Sequence, residues 1–306
     1  MKIILYIPTL NAGEKWPMVV KSLRAQTYPI SQVVIIDSGS KDHTLADHFT
    51  EGFEIIEIDK RNFDHGGTRH MAVEKYPDAD IYAFLTQDAI LANDQALEKM
   101  VRTFESDPKL GMVYGRQLPH KGAKEREAHA RLFNYPPGSQ IRSLPDADKY
   151  GIKTISCSNS FAAYRKTAYR EVGGFPSGTI LGEDVIIAGK MLLKGWHMAY
   201  LADAQVYHSH YYTLKEEFKR YFDIGVFHAT NLWIFENFGK AESEGFKYLK
   251  SELSYLLKNN VWVLPKAGLS VFAKLLGYKM GLLHHKLPLK LNQSFSMHRA
   301  YWNHPQ

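Results

Sequence analysis

A chain of 306 residues exceeds one average domain of roughly 150, and its 45% hydrophobic and 23% charged content excludes wholesale disorder and fibrous repeats, so one large domain with an appendage is expected. A single cysteine, Cys157, excludes a disulfide scaffold and a cysteine-ligated zinc site, and no uncharged apolar run is long enough to span a membrane as a helix. The net charge of +6 lies wholly in residues 213–306, with 13 basic and 7 acidic side chains, because the first 212 residues balance at 25 and 25.

Short apolar runs alternate with helical periodicity through the first half, which predicts βαβ units and an α/β fold with a mainly parallel sheet flanked by helices. Residues 3–7 read as a buried strand stopped by Pro8. That run is too short for the core of a secretory leader, so an intracellular protein is expected. A helix is predicted over 16–26, then a strand over 33–36 ending in Asp37-Ser38-Gly39-Ser40, and a weakly alternating strand over 53–58. A helix over 67–75 precedes a strand over 81–85 that runs into Thr86-Gln87-Asp88, followed by a helix over 94–105 and a strand near 112–114. Residues 116–150 combine charges, Pro136-Pro137-Gly138 and few periodic apolar positions, which predicts a long mobile insertion. Strands are expected over 155–164 and 198–201, with a helix over 184–194 between them. Beyond Thr213 the pattern is helical over 214–237, 243–258 and 267–283, so the expected division is a domain at 1–212 and a basic helical region at 213–306.

Ligands of open parallel sheets bind beyond the carboxyl ends of the strands. Three polar clusters fall at such ends: Pro8-Thr9-Leu10-Asn11, Asp37-Ser38-Gly39-Ser40 and Thr86-Gln87-Asp88. One cluster alone is an ordinary turn or cap, whereas three converging on one sheet point to a ligand. The first strand lacks G-x-G-x-x-G, so the dinucleotide fingerprint is absent. Glu183 and Asp184 follow Gly182 at the start of a helix, where the macrodipole favours negative charge by about 0.3–1 kcal/mol.

Six stretches in order carry a resemblance: YIPTLNAG at 6–13, QVVIIDSGSKDHT at 32–44, FDHGGTRHMA at 63–72, FLTQDA at 84–89, EVGGFPSGTILGEDV at 171–185 and VYHSH at 206–210. Together they resemble the family 2 glycosyltransferases, and within them the bacterial rhamnosyltransferases. The resemblance implies a GT-A fold, a Rossmann-like nucleotide-sugar-binding domain, here with a C-terminal helical extension. It implies that Asp37 accepts the imide N–H of uracil or thymine, with Ser38 beside it and Pro8, Thr9 and Asn11 lining the base and ribose. Gly66, Gly67 and Arg69 are expected near the ribose and diphosphate, the glycines for close backbone approach and the arginine for anionic oxygens. Thr86, Gln87 and Asp88 take the place of the family's Asp-x-Asp, with Thr86 departing from its first acid. Asp88 is expected to hold a divalent metal, Mg²⁺ or Mn²⁺, with His208 as second ligand and His210 as the fallback. Asp184 is implied as the general base of an inverting transferase, with Glu183 at its side. Gly173-Gly174-Phe175 resembles the turn on the acceptor side.

The activity so implied is transfer of L-rhamnose from the nucleotide-sugar donor dTDP-L-rhamnose to a hydroxyl of a bacterial surface polysaccharide or lipid-linked glycan, in the cytoplasm at the inner face of the plasma membrane. A UDP-hexose transferase and a non-catalytic nucleotide-sugar binder are the alternatives. A nucleic-acid partner would leave the six motifs unexplained, and a sugar-nucleotide pyrophosphorylase would need a Gly-rich, Lys-containing loop that is missing after the first strand. A homodimer stays open. From Leu253 to Gln306 there is no acid against six Lys, one Arg and four His, and Leu269, Phe272, Leu276, Met280 and Leu283 share one helical face opposite Ser270, Lys274, Gly277 and Gly281. Such a helix suits an anionic membrane surface or packs its apolar face on the catalytic domain.

Overall fold

The computed structural model describes residues 1–239 and 242–303. Nine strands form one sheet: β1 (Ile3–Thr9), β2 (Gln32–Asp37), β3 (Glu54–Glu57), β4 (Ile81–Leu85), β5 (Ile90–Leu91), β6 (Leu110–Leu118), β7 (Gln140–Arg142), β8 (Phe161–Arg165) and β9 (His197–Tyr207). They lie in the order β3-β2-β1-β4-β8-β6-β9-β5, with β7 also on β9. The first four pair in parallel, as the βαβ pattern predicts. Beyond β4 the sheet turns mixed, because β8 runs antiparallel between β4 and β6, and β5 and β7 run antiparallel to β9.

The helices used below are α1 (Trp16–Arg24), α2 (His65–Lys75), α3 (Ala96–Ser106), α4 (Glu125–Asn134), α5 (Glu183–Leu193), α6 (Leu214–Thr230), α7 (Leu232–Phe238), α8 (Glu242–Asn259), α9 (Leu264–Leu282) and α10 (Leu289–Phe295). Strand β1 is apolar almost throughout because both faces of the sheet are covered. Ile3, Leu5 and Ile7 meet Trp16, Val19, Leu97 and Phe104 on one side, while Ile4 and Tyr6 join Ala72, Val73 and Ile187 on the other.

Several expected boundaries move, each for a local reason. Residues 155–164 divide into a 3-10 turn ending at Ile155 and a strand that starts at Phe161, because Ser158, Asn159 and Ser160 spend their side chains on local and helix-end hydrogen bonds. The strand expected over 198–201 extends to Tyr207, and the helix over 214–237 breaks at Asn231, whose backbone leaves the helical region. Pro265 lies in the first turn of α9, where its missing N–H costs nothing, so the helix begins at Leu264.

The segment 116–150, expected as a long mobile insertion, contains regular secondary structure. It holds the end of β6, helix α4 and strand β7, and α4 is fastened by a buried guanidinium. Arg126 donates to Glu217 of α6 at 3.1 Å, to Glu252 of α8 at 3.0 Å and to the hydroxyl of Ser270 on α9. A buried charge survives only when so paired, and this one gathers four helices.

The orientation of α9 reverses the usual rule. Its small face packs on α6: a Cβ on Gly277 or Gly281 would run into the carbonyl oxygens of Phe218 and Phe222, and one on Gly225 into that of Tyr278. The two backbones therefore touch, and Ser270 is fully buried, while Leu269, Phe272 and Leu276 stand 59%, 66% and 42% exposed. The prediction is that Gly281→Val destabilises the protein by about 1–3 kcal/mol through overpacking. Leu276→Ser, on the outer face, stays within about 0.5 kcal/mol. Thermal unfolding of both variants checks this, and an unchanged Tm for Gly281→Val would contradict the seam.

Candidate active site

The carboxyl ends of β1, β2 and β4 open on a cavity of about 1090 Å³. That is slightly above the roughly 300–1,000 Å³ common for ligand sites. Pro8, Thr9, Ser38, Arg69, Thr86, Gln87 and Asp88 all line it, so the three strand-end clusters converge. Ser38 Oγ, Arg69 Nε, Thr86 Oγ1 and Thr179 Oγ1 are buried there without a protein partner. An unsatisfied buried polar atom costs about 1–3 kcal/mol, and these four belong to side chains that border one cavity.

Other expected site residues, Asn11, Asp37, Gly66, Gly67, Glu183, Asp184 and His208, do not line this cavity. Asp37 is 1% exposed and does not line the cavity. Its carboxylate accepts from Thr9 Oγ1 at 2.9 Å, Ser40 Oγ at 2.6 Å and the N–H groups of Gly39 and Ser40 at 2.9 and 2.7 Å. Those contacts shape the turn that presents Ser38. Asn11, in the left-handed region at φ 47°, accepts from Lys41 N at 2.8 Å and likewise holds the turn. A Cβ on Gly66 would collide with the carbonyl of Pro176, so this glycine lets the 173–182 loop close on α2 and does not face the cavity. The Gly67 N–H binds the side chain of Asp64, the cap of α2, which also accepts from Gly178 N at 2.9 Å. Gly173-Gly174-Phe175 lines neither this cavity nor the smaller one described below; Phe175 packs in the core between Phe84, Tyr164 and Tyr169.

Asp88, His208 and His210 form one cluster, with their donor atoms within 4.8 Å of one another. Asp88 lies 3.4 Å from His208 Nε2 and 3.5 Å from His210 Nε2, and the two Nε2 atoms are 3.0 Å apart. His208 Nδ1 sits 2.9 Å from Gln117 Oε1, an oxygen that also accepts from Arg131 at 2.7 Å. An amide oxygen only accepts, so Nδ1 carries the proton and Nε2 presents its lone pair to the cluster. Burial pushes both imidazoles down, His210 to about 4 with His208 adding to the effect, so both are neutral donors near pH 7. Two neutral imidazoles and a carboxylate are a fitting donor set for a divalent ion, and the imidazoles favour a transition metal over Mg²⁺.

Glu183 and Asp184 open α5 side by side, and their surroundings separate them. Glu183 is buried against Arg69 at 3.3 Å and accepts from Asn159 Nδ2 at 3.0 Å. Burial pushes its carboxyl up, but Arg69 and His65 outweigh that and hold it down. Among the described residues Asp184 accepts the N–H groups of Asn159 at 3.1 Å and Val185 at 2.9 Å, and burial together with the Glu183 charge raises it to about 7. A carboxylate poised near neutrality suits a general base.

Residues not anticipated complete the cavity. Lys60, Phe63 and His65 line one side, and Met297, His298, Arg299, Ala300 and Tyr301 line another. His298 Nδ1 lies 3.3 Å from His65 Nε2, and Met297 N donates to the buried Asp223 at 2.8 Å. His65 lies inside a motif already singled out; the wall from 297–301 arrives from 233 residues away, and no local pattern announces it. A second cavity of about 330 Å³ shares His210 and is lined by Arg131, Tyr212, Glu217, Arg220 and Tyr221.

The glycosyl transferase family 2 model matches residues 4–173. Over 308 residues the chain is 51% identical to the O-antigen chain rhamnosyltransferase RfbN of Salmonella typhimurium, covering 100% of this chain and 98% of that protein. It is 47% identical over 303 residues to the O-antigen chain rhamnosyltransferase WbaN of Salmonella anatum, covering 99% and 96%. Among solved structures, it is similar to the mannosyltransferase PcManGT from Pyrobaculum calidifontis in complex with GDP-Man and Mn²⁺, at a TM-score of 0.56 and 18% identity over 99% of this chain and 85% of that one. It is also similar to residues 1–349 of S. aureus TarS in complex with UDP-GlcNAc, at 0.55 and 16% over 97% and 84%. Those two likenesses speak for the GT-A fold alone. A parallel half-sheet with a polar cavity at its carboxyl ends, an Asp-His cluster and a near-neutral carboxylate are joined by a family match and full-length relatives, and the chain belongs to glycosyl transferase family 2.

Proposed function

We propose that this enzyme transfers L-rhamnose from dTDP-L-rhamnose, with inversion, to a hydroxyl of a lipid-linked precursor of a bacterial surface glycan. The convergence of three strand-end polar clusters on one large cavity carries the reading as a nucleotide-sugar site, and the names of the two full-length relatives supply the sugar. The base lies against Pro8, Thr9 and Ser38, where Ser38 Oγ can accept the imide N–H of thymine. Asp37 supports that reading through the turn it holds.

Arg69 and Thr86 face the diphosphate, Arg69 as a charge-assisted donor. Asp88, His208 and His210 would hold the divalent ion, Mn²⁺ in preference to Mg²⁺, which when bound offsets charge on the departing diphosphate. The acceptor enters through the smaller cavity beside His210, whose tyrosines offer ring faces and whose Glu217 Oε2 has no partner. Asp184 takes the proton from the acceptor hydroxyl as that oxygen attacks the anomeric carbon from the side opposite the diphosphate. The carbon–oxygen bond to the diphosphate breaks, and a β-linked donor yields an α-linked product. Residues 1–212 supply most of this machinery and the helical region supplies one wall, with the enzyme attached peripherally at the cytoplasmic face of the membrane.

Two predictions test the reading. Gln117→Met, which removes the acceptor that orients His208, weakens Mn²⁺ binding about 10–100-fold in calorimetric titration, and His210→Ala weakens it at least as much. Mn²⁺ affinity unchanged in His210→Ala would remove His210 from the donor set. In a transfer assay with dTDP-L-rhamnose and a lipid-linked glycan acceptor, Asp184→Asn lowers kcat about 10²–10⁴-fold with nucleotide affinity retained. Because a base works only when deprotonated, wild-type kcat/KM rises with pH and levels above about 7, where Asp184 has lost its proton. Glu183→Gln removes the neighbouring negative charge, so that acid limb moves to lower pH. Unchanged turnover in Asp184→Asn would take the role from Asp184.

A further inference from the structure

We propose that the exposed apolar surface of α8, α9 and the turn between them docks onto an anionic phospholipid bilayer. The backbone seam between α9 and α6 decides which face is outward, since Gly277 and Gly281 can lie only against α6. That leaves Leu269, Phe272 and Leu276 exposed on α9, and Leu253 and Leu257 of the preceding α8 are 51% and 58% exposed. At the turn joining the two helices, Trp262 is 89% exposed. Large apolar side chains concentrated on one helical hairpin are uncommon on a monomer's free surface and mark an interaction site.

The charges around this surface select the occupant. Lys258, Lys279, Lys286 and Lys290 are exposed and make no ion pair among the described residues. No acid occurs after Glu252, and Glu252 is itself buried on Arg126. A second copy of the same face would set unpaired lysines against lysines, whereas anionic headgroups supply the missing negative charge. Among the described residues no helix is long and apolar enough to cross a membrane, so the hairpin lies in the interface plane, with Trp262 and Phe272 at the headgroup boundary. The biological sense of this attachment rests on the reading of the acceptor as lipid-linked; its test makes no use of transfer, so each can fail alone.

Flotation of the full-length protein with phosphatidylcholine vesicles, with and without phosphatidylglycerol, tests it. The protein is expected to float with the phosphatidylglycerol-containing vesicles and to be released as salt rises. Trp262→Glu combined with Phe272→Glu should weaken that binding on the order of tenfold or more, with Tm and nucleotide binding unchanged because both side chains are exposed. Lys279→Glu with Lys286→Glu should weaken it on anionic vesicles. Failure to float on anionic vesicles would overturn the proposal, as would flotation indifferent to these substitutions. A dimer in light scattering that the Trp262→Glu and Phe272→Glu pair dissociates would assign the surface to self-association and overturn it too.

Discussion

Two carboxylates stand side by side at the start of α5, Glu183 buried and Asp184 partly so, and among the described residues only Glu183 makes an ion pair. Arg69 reaches Glu183 from α2, which its Asp64 cap fastens to the loop leading into α5. Two like charges this close, in a site that water barely reaches, cannot both sit at ordinary carboxylate values. Glu183 takes the arginine and stays ionised; Asp184 is left with two backbone N–H groups and is lifted to about 7. The close approach of α2 to this loop depends on Gly66, because any Cβ there meets the Pro176 carbonyl. Packing, ion pair and the poise of the proposed base are therefore one constraint. A burial cost that would otherwise only weaken the fold becomes the source of a usable proton acceptor.

The helical C-terminal region serves the cavity as well as the surface. Asp223 of α6, fully buried and pushed up to about 6 by that burial, holds Met297 N and so seats the 297–301 segment against the cavity. Arg126 ties α4 to α6, α8 and α9 through Glu217, Glu252 and Ser270. The helices that present apolar side chains outward are thus anchored to the elements around the smaller cavity. An enzyme that meets a lipid-linked acceptor would gain from such a linkage, because attachment and site would then be held in register.

Local signals carried much of this. The apolar runs of β1, β2 and β4 predicted strands, and the polar residues at their ends predicted the cavity, because strand ends and turn residues are near neighbours in sequence. Within a cluster the sequence was less informative. Asp37 and Ser38 are adjacent, yet alternation along the strand end turns one inward to bind the turn and the other to the cavity. The Asp88–His208–His210 cluster was half legible, since two histidines two apart share a side only when the chain between them is extended. The α9 orientation was left open by the sequence, whose apolar face suited either a membrane surface or the domain; its glycines permit a backbone contact with α6 that excludes larger side chains and turns that face outward. The Arg126 network joins residues 126, 217, 252 and 270, and the 297–301 wall comes from the far end of the chain. No periodicity encodes either, because both depend on how distant helices meet.

The central claim is that the large cavity takes a thymidine nucleotide sugar with a divalent ion at Asp88, His208 and His210. The most direct measurement is calorimetric titration of dTDP, UDP and GDP into the full-length protein, each with and without Mn²⁺. The account predicts selective binding of dTDP over GDP, tighter when Mn²⁺ is present, and loss of that metal dependence in His208→Ala. Absence of binding by every nucleotide, or a preference for GDP, would contradict it.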